Sequence, residues 1–166
     1  PAPPQGGLTM LNFNVIVVPT DLSDYSLRAL PYAVGLAERF DARLKVLCIN
    51  EPAVPISDVS WAGIDVHSVD DALLAEARRT LDKIVREQVP ADLDVEATVI
   101  TGNAVEGIVR YANEQNADLL VMCTHGRTGL SHVLMGSTAE AVVRRAHCPV
   151  LTLRQPMTVA ATQRGT

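Results

Sequence analysis

The chain has 166 residues, 48% of them hydrophobic, which is enough for one α/β domain with a substantial core and too few for two full ones. A formal net charge of -5 and an isoelectric point near 5.3 argue against a generic nucleic-acid or anionic-membrane surface. Three cysteines, Cys48, Cys123 and Cys148, form neither a CxxC pair nor a zinc-finger spacing, so no disulfide framework or structural metal is indicated and a reducing cytoplasm is the expected compartment.

No stretch approaches the roughly 18 apolar residues of a membrane span, and the start lacks a basic region followed by an apolar core, so neither a membrane nor export is expected. Pro1 to Gly7 is rich in Pro and Gly and Thr158 to Thr166 is polar. The expected organisation is a flexible segment over 1–11, a single domain over 12–155 and a flexible tail over 156–166.

Asn14 to Val18 predicts a first strand that ends at Pro19. Ser23 is placed to cap the following helix, which carries Leu27, Leu30, Val34 and Ala37 on one face; Pro31 inside it predicts a kink. A second strand is expected from about Leu44 to Asn50. Glu51 to Val69 then reads as a long connection containing Pro52, Pro55, Gly63 and the single tryptophan, Trp61, a hydrophobic plug or partner contact. The next helix turns Leu74, Ala77, Leu81, Ile84 and Val85 inward, with Asp82 and Arg86, and Lys83 and Glu87, at i to i+4 on its wet face. A third strand covers about Asp94 to Ile100, and Gly102 with Asn103 leads into a helix carrying Val105, Ile108, Val109 and Ala112.

Leu119 to Cys123 is continuously apolar, the pattern of a parallel strand buried on both faces. Gly126 and Gly129 then break regularity. Gly136 precedes Ser137 and Thr138, and Glu140 three residues after Ser137 has the capping-box spacing of a helix start. Pro149 to Leu153 predicts a last strand whose apolar edge would invite pairing unless a partner covers it.

Strands separated by helices imply right-handed crossovers and a mainly parallel sheet with helices on both faces, a Rossmann-like three-layer α/β sandwich. Ligands of such sheets bind beyond the carboxyl ends of the strands where the strand order reverses. The loops after the first and fourth strands are the candidates, with Pro19, Thr20 and Asp21 on one side and Thr124 to Gly136 on the other. Backbone amides of a Gly-rich loop and of a helix start favour an anion such as phosphate, and an acidic residue facing them suggests a nucleotide.

Competing chemistries lack their signatures. There is no Walker lysine after a Gly loop, no GxGxxG, no SGGxDS, no HxGH and no GxSxG. His125, His132 and the neighbours His147 and Cys148 make no HxxxH or cysteine cluster, so no protein-borne metal site is expected. The Cys123 thiol reads either as a buried strand-end group or as one acidified by helix amides.

Three segments, VVPTDLSDYS, ADLLVMCTHGRTGLSHVLMGS and AEAVVRRAHCPVLTLR, closely resemble the universal stress protein family over nearly all of Phe13 to Arg154. The resemblance implies a five-stranded sheet of order 3-2-1-4-5, with the switch point between strands one and four. The family's ATP-binding branch carries Gly, two residues, Gly, nine residues, then Gly with Ser or Thr. Here that register falls on Cys123, Gly126, Gly136 and Ser137, with cysteine in place of the first glycine; a strand-end cysteine is tolerated there only if no positive φ is required.

Carried over, the resemblance implies that Pro19, Thr20 and Asp21 lie near the nucleoside and that the backbone of Leu44 contacts adenine. Met122, Cys123, Thr124, His125, Gly126, Arg127, Thr128 and Gly129, with Gly136, Ser137, Thr138 and Ala139, would cradle ribose and phosphates. The expected cofactor is ATP, with ADP or AMP as alternatives, and Mg or Mn bound through the phosphates. The implied assembly is a homodimer through Pro149 to Leu153, with an unidentified protein client. No residue is placed as a general base, so a nucleotide-dependent regulator or sensor with at most slow ATP hydrolysis is expected; an interaction module without nucleotide, or a slow ATPase, are the alternatives.

Overall fold

The computed structural model describes residues 12–51, 66–124 and 135–154. They fold as β1 (Val15–Thr20), α1 (Asp24–Leu27), α2 (Leu30–Phe40), β2 (Arg43–Asn50), α3 (Val66–Gln88), β3 (Val95–Thr101), α4 (Ala104–Glu114), β4 (Leu119–Cys123), α5 (Ser137–Arg145) and β5 (Val150–Leu153). The strands form one sheet of order β3-β2-β1-β4-β5, and every pairing is parallel. This is the expected three-layer architecture and strand order.

The sheet buries both faces of its three central strands because β2, β1 and β4 are apolar on both, Lys45 excepted, while the edge strands β3 and β5 are only partly buried. Ile16, Val18, Leu44, Val46, Val121 and Cys123 pack under α2 and α3 with Ala33, Val34, Ala37 and Leu81. Val17, Leu47, Ile49, Leu120 and Met122 pack under α4 and α5 with Ile108, Tyr111, Ala112, Ala139 and Val142. Successive strand residues thus alternate between two cores, as a period of two demands. Lys45 shares the second face and is 5% exposed; its Nζ reaches Glu96 Oε2 on β3 at 2.6 Å, so the buried ammonium keeps a partner.

Two expectations change. The single kinked helix is two helices: Ser23 Oγ accepts from Ser26 N at 3.2 Å to start α1, and Pro31 lies in the first turn of α2. A proline there gives up an N–H that no helix bond would use, so it begins a helix and does not kink one. The long connection is shorter than expected, because α3 starts at Val66. Pro52, Pro55 and Gly63 all precede Val66, and nothing between Val66 and Val69 stops a helix. The inward set of α3 is as expected, with Leu81 fully buried and Leu74, Ala77, Ile84 and Val85 half-buried. Asp82 stands 3.8 Å from Arg78 in place of the expected Arg86, and Lys83 stands 3.9 Å from Glu87. These exposed pairs contribute little.

Among the described residues no helix is long and apolar enough to cross a membrane. Trp61 lies outside the described residues.

Candidate functional site

A crevice opens where β1 and β4 part. β1 pairs with β2 from Val15↔Arg43 through Thr20↔Cys48, but with β4 only at Ile16↔Leu119 and Val17↔Leu120. Backbone parity explains why Pro19 is accepted in this central strand, which runs beyond the expected end at Val18. Asn14 O accepts from Arg43 N on the β2 side and Val15 O from Asp118 N on the β4 side, so odd positions of β1 face β4. Pro19 therefore lacks its N–H on the side where the ladder has already ended, and no sheet bond is lost.

The β1–α1 turn forms one wall. Thr20 Oγ1 lies 2.8 Å from Ser26 Oγ and accepts from Leu22 N at 2.9 Å. The Asp21 carboxylate accepts from Ser23 N at 3.0 Å and from the Ser23 hydroxyl. Leu22 has φ 63, a left-handed conformation that a leucine adopts only when its surroundings hold it.

The opposite wall is the end of β4. Met122 and Cys123 are 6% and 8% exposed and turn to opposite faces of the sheet. Positive φ among described non-glycine residues is confined to Leu22, Asp41 and Asn116, so Cys123 keeps an extended backbone that any residue adopts. Its Sγ stands 3.9 Å from Ser26 O. Burial pushes the Cys123 thiol up, with smaller opposing effects from the Ala29 amide and Arg28, so the acidified-thiol reading is not supported. Arg28 itself lies over the Tyr25 ring, 4.7 Å from its centroid.

Thr124 is buried and donates its N–H to Leu153 O at 3.1 Å, while its carbonyl accepts from Gly136 N at 2.6 Å. This last bond ties the end of β4 to the foot of α5. His125, Gly126, Arg127, Thr128 and Gly129 lie outside the described residues.

The start of α5 corrects the expected capping box. Its N-cap is Gly136, in extended conformation (φ -68, ψ 152), and no side chain caps it among the described residues. Ser137 is already the first helical residue, so its hydroxyl is one position too late to cap, and Glu140 pairs with Arg144 at 2.9 Å. The first ladder bond runs from Glu140 N to Gly136 O at 2.9 Å. The amides of Ser137, Thr138 and Ala139 precede that ladder, beside the Ser137 and Thr138 hydroxyls and at the positive end of the helix dipole.

The neighbouring helix start is closed. Gly102, at φ 143 where a side chain is strained, turns the chain into Asn103. Asn103 Oδ1 accepts from Glu106 N at 3.1 Å and Glu51 Oε1 from Ala104 N at 2.8 Å. Sequence reading missed Glu51 because it lies 53 positions from its partner. It also missed Ser26, for which the SxxS spacing from Ser23 was the available signal.

Pro19, Thr20, Asp21, Met122, Cys123, Thr124, Gly136, Ser137, Thr138 and Ala139 thus gather at the carboxyl end of the sheet. Leu44 does not. It is fully buried, pairs with Ile16 and Val95 at the amino end of the strands, and gives its N–H to Asp94 O at 2.8 Å. A groove at that far end, lined by Ala37, Glu38, Asp41, Asp92 and Leu93, carries three carboxylates and would repel a polyphosphate.

The fold and this crevice define a doubly wound α/β domain with a helix terminus at its switch point that no side chain caps among the described residues. The model of the universal stress protein family matches residues 12–154, and the chain belongs to that family. It is 34% identical over 147 residues to universal stress protein MJ0531 of Methanocaldococcus jannaschii, an alignment covering 87% of this chain and 84% of that relative. Universal stress protein UspA from Lactobacillus plantarum has a similar structure, with a TM-score of 0.70 at 25% identity, covering 87% of this chain and 99% of that one. A universal stress protein crystallised in complex with cAMP is similar at a TM-score of 0.59 and 29% identity, covering 88% of this chain and all 100% of that one.

Proposed function

We propose that this universal stress protein binds an adenine nucleotide, ATP foremost with ADP or AMP as alternatives, and works as a nucleotide-dependent regulator or sensor in the stress response. The observation that carries the reading is the start of α5, where three amides and two hydroxyls stand at the switch-point crevice with no capping side chain among the described residues. Cys123 fits this use, because its extended backbone accepts a side chain where the family motif has glycine. The cAMP complex of a relative adds an adenine nucleotide to the support.

Phosphates would lie against Ser137, Thr138 and Ala139 and the loop from Cys123 to Gly129, with the nucleoside toward Pro19, Thr20 and Asp21. Among the described residues no three His, Cys, Asp or Glu side chains converge as a metal site. A Mg or Mn ion in this reading is carried by the phosphates and offsets their charge. The protein acts in the cytoplasm on an unidentified protein client, as a single domain over 12–155. It dimerises through Pro149 to Leu153, where Leu151 is 38% exposed on what is the edge strand of the sheet among the described residues.

The test is calorimetric titration of nucleotide-stripped protein with Mg-ATP, and then with ADP, AMP and cAMP. Micromolar binding is expected; no binding up to millimolar Mg-ATP would leave a non-nucleotide interaction module of the same fold. Metal-dependent phosphate release that Asp21→Ala abolishes while binding persists would make the protein a slow ATPase. An unchanged mass in solution for Leu151→Asp would remove the edge-paired dimer.

A further inference from the structure

One buried hydroxyl with several hydrogen bonds belongs to none of the groups assigned above. Ser26 is 7% exposed, within the four-residue helix α1. Its Oγ lies 2.8 Å from Thr20 Oγ1, accepts from Asp21 N at 3.3 Å and donates to Ser23 O at 3.0 Å. A hydroxyl offers one proton and two lone pairs, so one consistent assignment fills it. The Ser26 proton goes to Ser23 O, and its lone pairs take Asp21 N and the Thr20 proton. Thr20 Oγ1 then accepts from Leu22 N, and the Ser23 proton goes to Asp21 Oδ1.

This network holds a turn that would not hold itself. Leu22 sits at φ 63, unfavourable for a leucine, and both its amide and that of Asp21 are taken by the Thr20 and Ser26 hydroxyls. A helix as short as α1 has no stability of its own. The Ser26 carbonyl also meets the Cys123 thiol at 3.9 Å, so the same residue touches both walls of the crevice.

We infer that Ser26 is the positioning residue of the nucleoside half of the crevice: its hydroxyl fixes the Thr20 to Ser23 turn that presents Asp21, and it has no part in holding the phosphates. The inference rests on the nucleotide reading above. It separates two halves of one ligand, because the β1–α1 turn and the start of α5 belong to different elements on opposite sides of the gap.

The experiment titrates wild type, Ser26→Ala and Ser26→Thr with adenosine and with inorganic tripolyphosphate, and follows amide exchange in the ligand-free proteins. Ser26→Ala is expected to weaken adenosine about tenfold, the loss of one to two buried hydrogen bonds, with tripolyphosphate changed less than about twofold. Asp21 and Leu22 amides should exchange faster, and Ser26→Thr, which keeps the hydroxyl, should restore both readouts. Equal loss for the two probes, or no loss, overturns the inference. Wild-type protein that binds neither probe overturns the nucleotide reading itself, a result distinct from failure of Ser26. Should Ser26→Ala not fold, Ser26→Cys keeps the size of the side chain while weakening its hydrogen bonds and is held to the same criterion.

Discussion

Helices α4 and α5 both start at the carboxyl end of the sheet and pack on the same face, yet their first turns are built in opposite ways. At α4, Asn103 and Glu51 supply side-chain acceptors to the backbone amides of Glu106 and Ala104. At α5, Gly136 supplies none. Both helices have the same unpaired donors and the same dipole, so helix physics does not explain the difference. Position does: α4 follows β3, an edge strand, while α5 follows β4 at the point where the strand order reverses. A start sealed by a carboxylate serves stability, and a start that no side chain caps among the described residues can serve an external anion.

The comparison is testable by exchanging or removing its parts. The largest effect is expected from crowding the sealed side. A Cβ on Gly107 would stand 3.0 Å from Ile49 Cδ1 and 3.3 Å from Ile100 Cδ1, so Gly107→Leu should cost about 1–3 kcal/mol by overpacking in urea unfolding. An unchanged midpoint would mean that α4 is loosely seated. Next comes Gly136→Asp, which gives α5 the carboxylate that α4 has. The backbone at Gly136 accepts aspartate, so thermal stability should hold or rise, while Mg-ATP affinity falls about tenfold or more, about 1.4 kcal/mol. Affinity that survived this change would remove α5 from the site. Asn103→Ala should do the converse, costing about 1 kcal/mol of stability with nucleotide affinity unchanged.

The smallest effect concerns pH on the α4 side of the sheet. The hydrogen bond from Lys45 holds the Glu96 carboxyl below its ordinary range, against the opposing effect of burial. A carboxyl depressed on folding contributes stability that is present above its unfolded pKa and lost as pH falls through the lower folded value. Glu96 is 53% exposed in its side chain, so the contribution is modest. Urea unfolding between neutral and acid pH should show a shallower acid limb for Glu96→Gln than for wild type, whereas superimposable limbs would deny the linkage.

Much of this molecule was legible before folding. Continuous apolar runs announced strands buried on both sides, and Ser23 marked the start of α1. Two local signals were ambiguous. Pro31 reads equally as a kink or as a first-turn residue, and only the Ser23 cap together with the end of α1 decides for the latter. Ser137 with Glu140 has the spacing of a capping box with Ser137 as its cap, but the first helical bond runs from Glu140 N to Gly136 O, which places the cap one residue earlier.

By itself the sequence determined the alternation of strands and helices, the two buried faces of the sheet and the family, because each is written in periodicity or in contiguous motifs. Tertiary structure alone decided the rest. It paired Leu44 with Ile16 and Val95, away from the crevice, and ended the β1–β4 ladder at Val17. It brought Glu51 to the start of α4 and kept Cys123 extended. Each of these depends on which strands are neighbours and in what register, and register is a relation between segments far apart in the chain that no local pattern encodes.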